Sequence, residues 1–257
     1  RHGDIFILPQ CAAAGDLAPR IQHYKQAQNR RFALKYGADR NGRELDVWQR
    51  RDIAERIAVA FDEVLDWARK DIRTALPIQH EVATVALTRR RITDEEAETQ
   101  RRELADLNAV PFKTDGTPQE QLQANSILVA RRNRCARMLA FHEQQKTEPT
   151  CPVEIHVARL GDIAFATNPF ELYMDYMHRM QGRSPFEQTF VVQLTGNPHG
   201  YAGYLATGRG EQGRGYSASL YCNQVSHLGG QELVENTLLR LKRFAAAIPV
   251  GEVVQPA

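Results

Sequence analysis

The stretch from residue 153 to residue 166 constrains the fold most, because strand-like patterns lie on both sides of a short turn. Apolar residues occupy every second position from Val153 to Val157, and Gly161 and Asp162 then separate this run from Ile163–Ala166. Period-two alternation is typical of a strand with one buried face, and a Gly-Asp turn between two such runs predicts a β-hairpin. We therefore expect a sheet and a layer that covers its apolar face.

Helical periodicity occurs on both sides of this hairpin. Apolar residues recur at helical spacing from about Asp46 to Ile72, which predicts a long amphipathic helix lying against a sheet. Further helices are predicted over about residues 93–107, 119–145 and 231–247, and further strands over residues 82–88 and 190–194. Because these elements alternate without a repeat, we predict an α/β or α+β fold with helices packed on a mixed sheet in one domain, 1–257. The charged helical region at about 89–147 is either an insertion packed on this domain or its solvent-facing layer.

Charge and hydropathy exclude two classes of partner. The 33 basic and 31 acidic residues are mixed along the chain and leave a net charge of +2, so no strong field favours nucleic acid or an anionic membrane. The basic run Arg89–Arg91 is followed at once by Asp94–Glu96, which indicates a solvated helix entrance. No apolar stretch approaches the roughly 18 residues of a transmembrane helix.

The first residues and the cysteines indicate how the domain is completed and what the thiols do. The chain begins with Arg1 and leads directly into the apolar run Ile5–Leu8, so we expect an earlier part of the same domain to precede Arg1. The four cysteines have no C-x-x-C spacing, which argues against a zinc knuckle or a thioredoxin-like motif. Buried free thiols are the expected state for most of them.

Local sequence gives Glu171 a structural role. Asn168 is a good N-cap, Pro169 suits the first helical position, and a glutamate three residues after the cap would close a capping box. Tyr204 lies among glycines and is predicted to be a half-buried residue at a strand edge. Tyr216 follows a glycine-rich segment typical of a mobile loop at the rim of a site.

Three stretches carry a resemblance to a known family. They are the loop Ala13-Ala14-Gly15-Asp16-Leu17-Ala18-Pro19, the hairpin from Leu160 to Ala164 with the segment Asn168–Glu171, and the strand Thr189–Val192 followed by the tyrosine segment Gly200–Tyr204 and by Gly215-Tyr216. Their order and spacing resemble the C-terminal portion of the core catalytic domain of the neutral, non-lysosomal ceramidases. The first of them is similar to that family's Gly-Asp-x-Ser-Pro loop.

The resemblance implies a zinc-dependent hydrolase of amide bonds, with an N-acyl lipid or a small amide as substrate. It places Glu171 and Tyr204 as zinc ligands beside histidines from the part of the domain before Arg1, and Tyr216 as a catalytic residue that contacts the substrate amide. It also places Gly15 and Ala18 at the substrate. Asp16 either takes part in catalysis or braces its own loop through hydrogen bonds to nearby amides.

Ala18 departs from the family pattern, because it stands where the family has a catalytic serine. Neither Leu17 nor Pro19 offers a hydroxyl in its place. The departure leaves a second hypothesis open, a non-catalytic scaffold of the same kind that binds a lipid, a glycan or a protein. In either case the resemblance implies a secreted or periplasmic protein.

Overall fold

The computed structural model describes residues 30–31, 33–35, 37, 43–73, 75–200, 202–213 and 215–249. The chain divides into two compact units, of which the smaller contains helix α1 (Arg43–Ala68) and the larger contains every described residue from Pro77 onward. Helix α1 confirms the predicted long helix. Its apolar residues Ile53 and Ile57 are 49% and 51% exposed, contrary to the burial predicted for that face.

A four-stranded mixed sheet organises the larger unit. Its strands are β1 (Ile78–Thr88), β2 (Thr150–Leu160), β3 (Ile163–Thr167) and β5 (Gln188–Val192), in the order β1-β2-β3-β5. β1 pairs with β2 and β2 with β3 in antiparallel fashion, whereas β3 and β5 are parallel. The predicted hairpin is confirmed: Leu160 pairs with Ile163 across a turn in which Gly161 has φ 62°. The fold class, helices packed on a mixed sheet, is confirmed.

Two helices cover one face of this sheet. The closing helix α6 (His227–Ala247), which follows the short helix α5 (Gly208–Gly213), packs on β1 and β2, and α4 (Met174–Arg183) packs on β5 and on α6. The alternate strand residues that point toward these helices are buried in β2 and buried or half-buried in β1, as the period-two pattern requires. The core includes Leu87, Ile155, Val157, Tyr176, Leu238 and Leu241.

A helical hairpin connects β1 to β2 and fills the predicted charged region. It consists of α2 (Asp94–Ala109) and α3 (Pro118–Gln144), which pack against each other. Both helices start with a capping box, in which Thr93 pairs with Glu96 and Thr117 pairs with Glu120. Such reciprocal caps satisfy amides that the first helical turn would otherwise leave free.

The basic run before α2 differs from its prediction. Arg89 is only 5% exposed, and Arg90 is half-buried, so only Arg91 matches a solvated helix entrance. Cys135, Cys151 and Cys222 are buried free thiols. Among the helices of the described ranges, none combines the length and apolar character that crossing a bilayer requires.

Candidate functional site

Glu171 and Tyr204 lie side by side in a second, two-stranded sheet. The strands are β4 (Glu171–Leu172) and β6 (Tyr204–Leu205), which run parallel, and their register pairs Glu171 directly with Tyr204. The Glu171 N–H donates to the Gly203 carbonyl at 2.9 Å, and the Tyr204 N–H donates to the Cys222 carbonyl at 2.9 Å. Backbone pairing thus fixes the two side chains next to each other.

The predicted capping box at Glu171 is wrong. Helix α4 begins at Met174, its N-cap is Tyr173, and no side chain caps it. The Asn168 Oδ1 instead accepts the Phe170 N–H at 3.1 Å, which closes a local turn before β4. The Glu171 carboxylate is therefore not used by a helix terminus and is available for another role.

The backbone beside Glu171 is held in unusual conformations. Leu194 has φ 59°, a left-handed conformation that costs a residue with a Cβ about 1–3 kcal/mol. Gly203, directly before Tyr204, has φ 70°, which glycine adopts readily. Leu194, Gly203 and Glu171 line the same cavity of about 230 Å³. Strain of this kind clusters at functional sites.

The Tyr204 phenol is hydrogen-bonded to the Glu171 carboxylate. Hydrogen bonding to the Glu171 carboxylate raises the pKa of Tyr204 above its ordinary range, with smaller contributions from burial and from the negative charge itself. The phenol is therefore a protonated donor at neutral pH, and the carboxylate is its acceptor. The phenol oxygen of Tyr204 and a carboxylate oxygen of Glu171 therefore lie next to each other.

Tyr216 lies against Tyr204, as expected if both residues belong to one site. It begins a 3₁₀ helix (Tyr216–Ala218), its residue is 58% exposed, and its ring meets the edge of the Tyr204 ring at a centroid distance of 6.0 Å. The Tyr221 ring approaches from another side at 6.1 Å. Electrostatic interaction with Cys222 raises the pKa of Tyr216, so this phenol is also a protonated donor at neutral pH.

Asn223, which sequence reasoning did not single out, joins the two tyrosine segments. Its Oδ1 accepts the Ala206 N–H at 3.1 Å beyond β6, and its Nδ2 donates to the Ser217 carbonyl at 2.6 Å and the Ser219 carbonyl at 3.2 Å. The residue is 2% exposed. No local sequence signal marks this role, because the Ala206 amide that Asn223 joins to its own turn lies 17 residues earlier in the chain.

The remaining predicted site residues, Gly15, Asp16 and Ala18, lie outside the described residues. Within the ranges that the structure describes, no group of three or more His, Cys, Asp or Glu side chains is placed to bind one metal ion. Glu171 and Tyr204 offer hard oxygen donors of a kind that zinc accepts, and they would supply part of a tetrahedral ligand set. The two side chains are compatible with a share in a zinc site but do not by themselves make one.

Comparison with known proteins gives only distant structural likenesses. No protein-family model matches the chain, and neither does any curated protein. The chain resembles neutral ceramidase from Pseudomonas aeruginosa at 14% identity and a TM-score of 0.39, over 70% of this chain and 30% of that one. It resembles a ceramidase complexed with C2 at 11% identity and a TM-score of 0.36, over 70% and 32% of the two chains. The chain thus spans less than a third of either structure.

Proposed function

We propose that this protein is a zinc-dependent hydrolase of amide bonds that acts on an N-acyl lipid or a related amide. The observation that carries the proposal is the direct pairing of Glu171 with Tyr204, with Tyr216 against the Tyr204 ring. Three oxygen-bearing side chains from separate segments converge there. The strained Leu194, which lines one cavity with Glu171, supports a functional rather than a structural reason for the arrangement.

The positions of Glu171, Tyr204 and Tyr216 suit different roles in amide hydrolysis. Glu171 and Tyr204 would hold the metal, which when bound supplies Lewis acidity and a water molecule whose pKa is lowered to about 7. Tyr216 would donate a hydrogen bond from its phenol to the amide carbonyl oxygen, because it is exposed and protonated. A positioned donor of this type stabilises the negative charge that develops on that oxygen. A secreted or periplasmic location is part of the same proposal.

The direct test is hydrolysis of N-acyl amides by the full-length protein, with and without a chelator. Glu171→Gln and Tyr216→Phe should each lower kcat/KM by about a hundredfold or more, the usual effect of losing a ligand or an oxyanion donor. Glu187→Gln is the matched control, since Glu187 is exposed on the same unit. Activity that survives both chelation and Glu171→Gln would refute the proposal.

Ala18 favours a second candidate, a binding scaffold without catalysis. The position lacks the hydroxyl that the resembled loop carries, and neither neighbour replaces it. A scaffold would bind lipid amides without cleaving them, in wild type and in Ala18→Ser alike. A gain of hydrolysis on Ala18→Ser would instead show that the rest of the catalytic site is intact.

A further inference from the structure

A cleft of about 1160 Å³ opens where the end of β1 meets the N-terminus of α6. It is lined by residues that follow β1, by the first residues of α6, and by the turn after Tyr216. Its lining includes the side chains of Arg90, Arg91, Glu96, Glu211, His227 and Leu228. The candidate zinc ligands Glu171 and Tyr204 do not line this cleft.

The neighbouring Arg89 and Arg90 differ in how many acceptors their guanidinium groups have. The Arg89 guanidinium is buried and donates from all three of its nitrogens, to the Glu148 and Thr150 carbonyls and to the side chains of Gln144 and Glu148. Arg90 is half-buried in the cleft, and its guanidinium makes one hydrogen bond to the described residues, from Nη1 to the Ala218 carbonyl. It forms no ion pair with any described carboxylate.

Burial without an ion pair is unfavourable for Arg90. Desolvation lowers the pKa of its guanidinium, while the more distant carboxylates of Glu211 and Glu96 oppose that shift. Both carboxylates are held by other donors. Glu96 closes the capping box with Thr93, and Glu211 accepts the His227 N–H at 2.8 Å and contacts its Nδ1 at 2.7 Å. The remaining N–H donors of Arg90 thus have no anionic acceptor in the described part of the chain.

A second donor lies on the wall of the same cleft. At the start of α6, the His227 amide donates to Glu211 and the Gly229 amide donates to Ser226. The Leu228 amide, between them, has no acceptor among the residues of the described ranges. The N-terminus of a long helix favours negative charge, and free amides there bind anions.

We propose that this cleft binds an oxyanion, the carboxylate or phosphate group of a ligand, with the Arg90 guanidinium as its principal contact. The planar fork of a guanidinium matches the two oxygens of such a group. The site does not depend on zinc, so it can exist even where the proposed hydrolase activity fails. Ala218, the Arg90 partner, lies two residues beyond Tyr216, so a ligand held here would reach the turn that carries this phenol.

The test is calorimetric titration of the full-length protein with two probes, inorganic phosphate and octanoate, at low ionic strength. Binding of phosphate alone assigns a phosphate-bearing ligand, and binding of octanoate alone assigns a carboxylate. We expect Arg90→Ala to weaken binding about tenfold or more, the usual effect of losing a charged hydrogen bond. Arg91→Ala, which removes an exposed charge from the same cleft, should change it less than about threefold.

Two further variants keep the result decisive where Arg90→Ala fails to fold. Arg90→Lys retains a donor for the Ala218 carbonyl and loses the fork, so it should weaken binding less than Arg90→Ala does but more than Arg91→Ala does. Glu96→Gln keeps the capping box, because glutamine also serves at that position, and removes a repulsive charge. It should tighten anion binding. The proposal is overturned when neither probe binds, or when binding is insensitive to both Arg90→Lys and Glu96→Gln.

Discussion

Replacing Asn223 with alanine tests whether this buried amide holds the two tyrosine segments together. The substitution removes three hydrogen bonds and leaves the Ala206 N–H and the Ser217 carbonyl without these partners. Ala206 is fully buried, and Ser217 is nearly so. The Ser219 carbonyl still accepts hydrogen bonds from the Cys222 and Asn223 amides, so losing its bond to the Asn223 side chain costs little.

The expected cost follows from those two unsatisfied groups. A buried donor or acceptor left without a partner costs about 1–3 kcal/mol, and the carbonyl lies at the low end because it has two lone pairs. We therefore expect Asn223→Ala to lower the free energy of unfolding by about 2–4 kcal/mol. The hydrolase proposal adds that kcat should fall as well, because Tyr204 and Tyr216 would lose their common brace.

Urea unfolding followed by circular dichroism measures the change. The matched control is Asn133→Ala, at an exposed position inside helix α3, which should alter stability by less than about 0.5 kcal/mol. A loss below about 1 kcal/mol for Asn223→Ala, or one equal to that of the control, would refute the bracing role.

Two further predictions concern helix packing and pH. Burial raises the pKa of Tyr176, so its stabilising effect is present below the unfolded value of about 10 and is lost as the pH rises above it. Tyr176→Phe should therefore flatten the decline of urea stability between about pH 9 and pH 11, and an unchanged slope would contradict this. Gly230→Ala should lower the free energy of unfolding by about 1–3 kcal/mol, because the added Cβ would lie 2.3 Å from the Tyr176 ring and hydroxyl. Gly182→Ala should raise it by about 0.5–1 kcal/mol, because alanine is the better helix former and no atom lies within 4 Å of the added Cβ. Thermal unfolding of the pair checks the opposite signs.

The parts of the fold that depend on local signals were predictable from sequence. The Gly161-Asp162 hairpin and the helices that begin after Thr93 and Thr117 follow from alternation and capping chemistry within a few residues. Such signals act before any long-range contact forms. They survive in the folded chain where no long-range pairing opposes them.

The parts that depend on long-range contacts were not predictable. Asn168–Glu171 satisfies the rule for a helix start, yet pairing of Glu171 with Tyr204 placed it in a strand. The charge run at Arg89 indicated solvent, but acceptors at Glu148 and Thr150 allow that guanidinium to be buried. Asn223 acts only through segments that the fold brings together. In each case, a partner distant in sequence outweighed the local pattern.

The zinc content of the purified full-length protein tests the central claim most directly. It is measured by mass spectrometry of the metal for the wild type, Glu171→Gln and Tyr204→Phe, with Glu187→Gln as control. We predict about one zinc ion per chain in the wild type and the control, and a loss of about tenfold or more in metal affinity for the other two variants. Absence of zinc from the wild type, or equal zinc in all four proteins, would contradict the account.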